Sequence, residues 1–253
     1  MTKFTNNRKA PSTFKKLGVV ALFAATTLTL AIFFTACNQT SGGEGGKPTI
    51  EGVAVLTLDP NRLYIDVTAI TSDGSAIKVE GCNETTLKSD TEARLTATGT
   101  KVVLKGKITD LLCCNNKLTE LNVQGLTSLQ GLDCGGNQLT KLDVQGLTAL
   151  QSLFCYDNQL TELGMQGCTA LKRLDCYRNK LNAQAMTKIL NALPARSAGD
   201  DGEAILYTEF AGFNEGNCKD LTNPPELNAA FEGAKGKNWM VRKQDTGGSW
   251  VDI

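Results

Sequence analysis

Residues 108–181 read, in blocks of 21, ITDLLCCNNKLTELNVQGLTS, LQGLDCGGNQLTKLDVQGLTA, LQSLFCYDNQLTELGMQGCTA and LKRLDCYRNKL. Three complete blocks and half of a fourth share the frame L-x-x-L-x-C-x-x-N-x-L. Three positions of this frame hold the same residue in every block. The leucine column is Leu111, Leu132, Leu153 and Leu174, and the cysteine column is Cys113, Cys134, Cys155 and Cys176. The asparagine column is Asn116, Asn137, Asn158 and Asn179. A fixed period of this length predicts stacked copies of one supersecondary unit that together bury a common core.

The first half of each block predicts a short strand whose leucine and cysteine point inward, and successive strands should pair in parallel. The second half should return the chain on the outer side as a strand or turn, because 21 residues leave no room for a long helix. The frame resembles the leucine-rich repeat family, and this resemblance implies an α/β solenoid with a curved parallel β-sheet and a strand- or turn-like convex side.

The asparagine and cysteine columns are interpreted as scaffold. An inward asparagine carries two donors and an acceptor, and can satisfy backbone groups left unpaired where each strand turns away. A free cysteine behaves as a small buried hydrophobe. Four thiols in a line do not converge on one point as a tetrahedral zinc site requires, so core packing is favoured over a metal site or disulfides.

The positions between the inward residues should face the concave surface, and they differ from block to block. Exposed aromatic side chains flanked by arginine are typical of interaction hot spots. The predicted partner-binding residues are Phe154, Tyr156, Arg173, Asp175, Tyr177 and Arg178. The alternative is that these side chains cover one another or contact the carboxy-terminal segment.

The flanking segments predict caps for the two ends of the repeat block. Residues 49–107 alternate in strand fashion and predict a small β cap whose last strand, Lys101–Gly106 (KVVLKG), leads into the repeat sheet. Residues 182–253 predict a helix over Ala183–Leu193 capped by Asn182, then a strand, a second helix and a further strand. The repeat sheet should therefore continue through helical βα units.

Residues 1–36 combine a basic start with an apolar run, Val19–Phe34, and predict a secretory signal peptide. The run ends in Phe34-Thr35-Ala36-Cys37, which resembles the lipobox of bacterial lipoproteins and implies lipid attachment at Cys37, although Phe34 stands where an aliphatic residue is usual. Residues 37–48 read as a flexible tether. An uncleaved anchor helix, or a plain signal with an incidental cysteine, stays open.

Composition excludes several function classes. The chain has 253 residues and no histidine, so neither histidine-dependent nucleophilic catalysis nor histidine-ligated metal chemistry is available. Five of the 26 basic residues and none of the 26 acidic residues lie in residues 1–36, so the remainder carries a net charge of −5. Such a body is a poor polyanion binder. We expect no enzyme activity, no cofactor, no metal and no nucleic-acid partner, and a monomer.

The whole pattern resembles leucine-rich repeat surface lipoproteins of host-associated bacteria, of spirochaete type. That resemblance implies an exported, lipid-anchored protein at the outer membrane or cell surface that binds a host or bacterial surface protein through its concave sheet, in adhesion or cell–cell attachment. The alternative is an envelope scaffold that faces the periplasm and binds another bacterial protein.

Overall fold

A computed structural model describes residues 52–200 and 202–253. The signal peptide expected over residues 1–36, the lipid attachment expected at Cys37 and the tether expected over residues 37–48 lie outside the described residues. Within the described part the fold is mixed α/β, mostly sheet, with two helices. None of the helices in these two ranges is long and apolar enough to span a bilayer.

The amino-terminal unit consists of six strands, which alternate buried and exposed side chains as a sheet with one covered face requires. Their bounds are β1 Val53–Leu58, β2 Tyr64–Thr71, β3 Ile77–Glu80, β4 Thr86–Leu87, β5 Ala93–Thr96 and β6 Lys101–Lys105. Strands β1, β3, β4 and β6 form one antiparallel sheet, whereas β2 and β5 pair in another. The described part of this unit is therefore built of strands.

The repeat block contains alternating inner and return strands. The bounds are β7 Ile108–Leu112, β8 Leu118–Asn122, β9 Gly131–Asp133, β10 Lys141–Asp143, β11 Ser152–Phe154, β12 Glu162–Gly164 and β13 Arg173–Asp175. Strands β7, β9, β11 and β13 pair in parallel with the leucine column in register, from Leu111 through Leu132 and Leu153 to Leu174. Because β10 and β12 also pair in parallel, the leucines of both layers enclose one core.

The carboxy-terminal part continues the parallel sheet, as predicted. Its elements are α1 Ala183–Ala192, β14 Gly202–Thr208, α2 Pro225–Gly236, β15 Trp239–Gln244 and β16 Trp250–Asp252. The side chain of Asn182 accepts the N–H of Ala185 at 2.9 Å and so caps α1,. The two helices pack on each other and take the place of the return strands, so that β14 and β15 extend the sheet beyond β13.

The junction between the cap and the repeats differs from the expected one. The last cap strand, β6, leads along the chain to β7 but is not part of the repeat sheet, because it pairs with β1 and β3. Instead β2 pairs antiparallel with β7, and β1 pairs antiparallel with β8. The unit thus covers the first repeat on both layers, so that β7 and β8 are not left as unpaired edges and the sheets end instead at the short strands β5 and β4,.

Candidate binding face

The asparagine column forms a ladder of hydrogen bonds beneath the turn that follows each inner strand. Asn137 accepts the backbone N–H groups of Asn116 and Leu118 at 3.0 and 2.9 Å, and donates to the carbonyl oxygens of Cys113 and Cys134 at 3.0 and 2.9 Å. One and two blocks later, Asn158 and Asn179 donate to the equivalent carbonyl oxygens and accept the equivalent leucine N–H, from Leu139 and Leu160. At the first rung, Asn116 bonds to the backbone of Asp66 in the cap.

A fifth rung, Asn217, was missed by the sequence analysis. Its amide donates to the carbonyl oxygens of Cys176 and Leu206 and its Oδ1 accepts the N–H of Leu181, at 2.8–2.9 Å. The spacing from Asn179 is 38 residues instead of 21, because α1 and a longer loop intervene. The sequence signal for this rung is weak. Asn217 lies in the loop after the apolar strand β14 and precedes Cys218, but its burial is seen only in the structure.

The cysteine column lies entirely in the core. Cys113, Cys134, Cys155 and Cys176 have no exposed surface and are unpaired. Burial raises the pKa of each of these thiols, so they stay protonated and unreactive near neutral pH. Within residues 52–200 and 202–253, no group of three or more acidic or cysteine side chains is arranged to hold a metal ion.

The face of the parallel sheet opposite this core is called here the open face. Its side chains fall into rows across the strands, which the strand register defines. One row runs Asp110, Gly131, Ser152, Arg173, Glu203 and Met240; the next runs Leu112, Asp133, Phe154, Asp175, Ile205 and Arg242.

Phe154 and Tyr156 are half-buried on the open face. The Tyr156 ring lies over Gly135, where an added Cβ would come within 2.6 Å of Cζ. Only glycine leaves room for the ring in this position. Burial, followed by the negative charge of Asp133, raises the pKa of the Tyr156 hydroxyl. The small residues of the second repeat therefore let an aromatic side chain of the third repeat pack directly on the backbone of β9 and the turn after it.

Two predicted partner-binding residues are not exposed. Tyr177 is 4 % exposed and Asp175 is 1 % exposed. The Tyr177 ring stacks on Tyr156, with centroids 5.2 Å apart and planes at 6°, and contacts Trp250 of β16 on its other side at 5.2 Å. The expectation that these two residues are exposed to a partner is wrong, because Trp250 and Tyr156 cover the Tyr177 ring and Arg173 lies against the buried Asp175.

The two predicted arginines have partners within the chain. Arg173 forms ion pairs with Glu203 at 2.7 Å and Asp175 at 3.5 Å, and its guanidinium lies 5.5 Å from the Phe154 ring centroid. Arg178 instead turns towards the loop after β14, where it lies 3.9 Å from the Phe213 ring centroid and pairs with Asp157 at 3.1 Å.

Two acidic residues of the open face were not among the predicted site residues. Asp110 and Asp133 are half-buried, and burial raises the pKa of both carboxyl groups. Among residues 52–200 and 202–253, no lysine or arginine forms an ion pair with either of them. The sequence did contain a signal for Asp133. It stands between Gly131 and Gly135, whereas the third block has the larger residues Ser152 and Tyr156 at the same two positions.

Comparison with known proteins adds no relative. No family model, no curated protein and no solved structure matches the chain.

Proposed function

We propose that this chain is a leucine-rich repeat solenoid, lipid-anchored through Cys37 in the envelope of a bacterium, that binds a protein partner through the open face. The observation that carries the proposal is a contrast within the repeats. The buried columns are nearly invariant from block to block, whereas the open-face positions change, from Gly135 to Tyr156 for example. Within residues 108–181, the aromatic side chains all occur at open-face positions, namely Phe154, Tyr156 and Tyr177.

Two half-buried aromatic residues on this face support a binding role. Phe154 and Tyr156 present apolar surface beside polar neighbours, the arrangement that interaction hot spots favour. The parallel sheet supplies a rigid base, because every inner strand from β7 to β15 is paired on both sides. A partner would therefore bind without ordering the face first, which reduces the entropic cost of association.

Binding is tested with the double variant Phe154→Ala/Tyr156→Ala, used to capture partners from host extract and from cell envelope. The matched control is Lys141→Ala/Glu162→Ala, which removes an exposed ion pair on the return strands β10 and β12. We expect the first variant to lose a partner that both the wild type and the control retain. Equal capture by all three proteins would contradict the proposed face.

Location is tested separately by mass analysis of the mature amino terminus and by protease treatment of intact cells. We expect an acylated Cys37 at the amino terminus and repeats that protease removes from the cell surface. An intact Met1 or an unmodified Cys37 would contradict lipid anchoring. Repeats that are cleaved only after the envelope is broken would favour the periplasm-facing scaffold over the adhesin.

A further inference from the structure

The open face carries a half-buried carboxylate, Asp133, beside the aromatic residues Phe154 and Tyr156. These three residues, with Gly131, Gly135 and Leu112, are called here the Asp133 site. Asp133 lies between the two glycines along β9, and between Leu112 and Phe154 across the sheet. Asp133 is half-buried and has an apolar neighbour on each adjacent strand.

The local charge at this site is negative. Asp133 accepts the N–H of Gly135 at 3.0 Å, and burial raises its pKa. The nearest further charge in the same rows is Asp110, which is itself influenced by the negative charge of Asp90. Asp133 and Glu92 both act on the neighbouring thiol of Cys114. These carboxylates would attract a cationic group from outside the chain, while Arg173, whose guanidinium lies 5.5 Å from the Phe154 ring centroid, is held by ion pairs with Asp175 and Glu203.

The fourth repeat contains the same acid with its cation built in. Asp175 occupies the same repeat position as Asp133, and Arg173, two residues earlier, pairs with it at 3.5 Å while lying over Phe154. In the second repeat the residue two positions earlier is Gly131, so the equivalent guanidinium is missing from the chain. Gly131 is itself buried, so the contrast with the fourth repeat is one of charge, because Asp175 has an arginine two residues earlier and Asp133 does not.

We propose that the Asp133 site binds an arginine side chain of the protein partner, with the guanidinium paired to the Asp133 carboxylate and packed against Phe154. Arginine suits the site better than lysine, because a planar guanidinium can bond a carboxylate and stack on an aromatic ring at once. The inference deepens the proposed function and rests on it, since it names the chemistry by which the partner is recognised.

The test uses three small probes and the full-length chain in detergent micelles. The probes are N-acetyl-arginine methylamide, its neutral isostere N-acetyl-citrulline methylamide, and the lysine analogue, with binding measured by saturation-transfer NMR against empty micelles. We expect the arginine probe to bind about tenfold more tightly than the citrulline probe, the usual effect of one charge-assisted contact, and more tightly than the lysine probe. Added salt should weaken that preference.

The decisive variant is Asp133→Asn, with Asp143→Asn as its matched control. Asp143 lies in return strand β10 and accepts the N–H of Gln145 at 3.0 Å, the same local bond that Asp133 makes with Gly135. We expect Asp133→Asn to abolish the preference for arginine over citrulline and Asp143→Asn to retain it. A wild type without that preference, or an Asp133→Asn protein that keeps it, would overturn the inference.

The inference and the proposed function fail in different ways. If the Phe154→Ala/Tyr156→Ala protein loses its partner while the arginine and citrulline probes bind the wild type equally, only the arginine site is wrong. If that double variant captures the partner as the wild type does, the binding face itself is wrong, whatever the probes show.

Discussion

Asn137 makes hydrogen bonds to four backbone groups of the first and second repeats, at 2.9–3.0 Å. These groups lie where the chain leaves β7 and β9, so no neighbouring strand can pair with them. The five rungs from Asn116 to Asn217 each connect one repeat to the preceding turn of the chain. An asparagine side chain thereby supplies, inside the core, what water supplies to an exposed turn.

We expect Asn137→Leu to lower the free energy of unfolding by roughly 1–3 kcal/mol, since it leaves buried backbone groups without partners. The matched control is Gln159→Leu, an exposed residue that follows the Asn158 rung, for which the change should stay within about 0.5 kcal/mol. Urea unfolding followed by tryptophan fluorescence measures both. An unchanged midpoint for Asn137→Leu would rule out the ladder as a source of stability.

Asp133 should reduce stability at neutral pH, because burial disfavours its charged form and raises its pKa above the unfolded value of about 3.9,. The folded state then binds the proton more readily than the unfolded state, so stability falls as pH rises from the unfolded pKa to the folded one. Asparagine imitates the protonated form and can still accept the N–H of Gly135.

We therefore expect Asp133→Asn to unfold at a higher urea concentration than the wild type at pH 7. The difference should shrink towards zero as the pH falls below about 3.9, where the aspartate is protonated in both states. Asp143→Asn should show no such gain. A less stable Asp133→Asn protein at pH 7 would mean that the carboxylate has a stabilising partner.

At the scale of elements, β16 determines how much of the open face remains free. This three-residue strand pairs antiparallel with β15, and its Trp250 contacts Tyr177 across the end of the aromatic row. The exposed part of the row is thereby limited to Tyr156 and its neighbours in the earlier repeats. The strand thus separates a covered end of the face from an available one.

Trp250→Ala should uncover Tyr177 and lower the free energy of unfolding by about 1 kcal/mol, the usual value of an aromatic pair. Tetranitromethane treatment with peptide mass analysis measures the exposure, since we expect Tyr177 to be nitrated in this variant but not in the wild type. Trp250→Phe should keep Tyr177 protected, and the exposed Tyr64 serves as an internal standard. Protection that persists in Trp250→Ala would show that β16 is not the cover.

The local sequence pattern predicted the strands of the repeats better than it predicted which distant segments of the chain pack against them. The 21-residue columns directly predicted strands such as β9 and β11, because the buried positions recur with the backbone geometry. Trp250 lies 73 residues beyond Tyr177, so no local pattern could show that it buries this ring. The pairing of β2 with β7 was missed for the same reason, since a strand's own sequence does not specify its partner.

At the scale of the whole molecule, the amino-terminal unit and the repeats share one continuous core. Strand β1 pairs with β8 in the outer layer and β2 pairs with β7 in the inner layer, while Asn116 bonds to the backbone of Asp66. Buried side chains of the amino-terminal unit, the repeats and the carboxy-terminal part belong to a single hydrophobic cluster. A unit attached through both layers should not separate from the repeats before they unfold, because either step exposes the same leucines.

We therefore expect one cooperative transition, and the cysteines along the chain can report it. Cys82 lies in the amino-terminal unit, Cys134 in the repeats and Cys218 near the carboxy terminus. In the folded state burial raises the pKa of Cys82 to about 12, so its thiol should react slowly until it is released. Pulse labelling across a urea gradient, read by peptide mass analysis, should give the same midpoint for Cys82 and Cys134. Asn137→Leu should shift both midpoints equally, although Asn137 lies in the repeats. A Cys82 midpoint at lower urea than that of Cys134, or one that does not change in the variant, would mean that the amino-terminal unit unfolds independently.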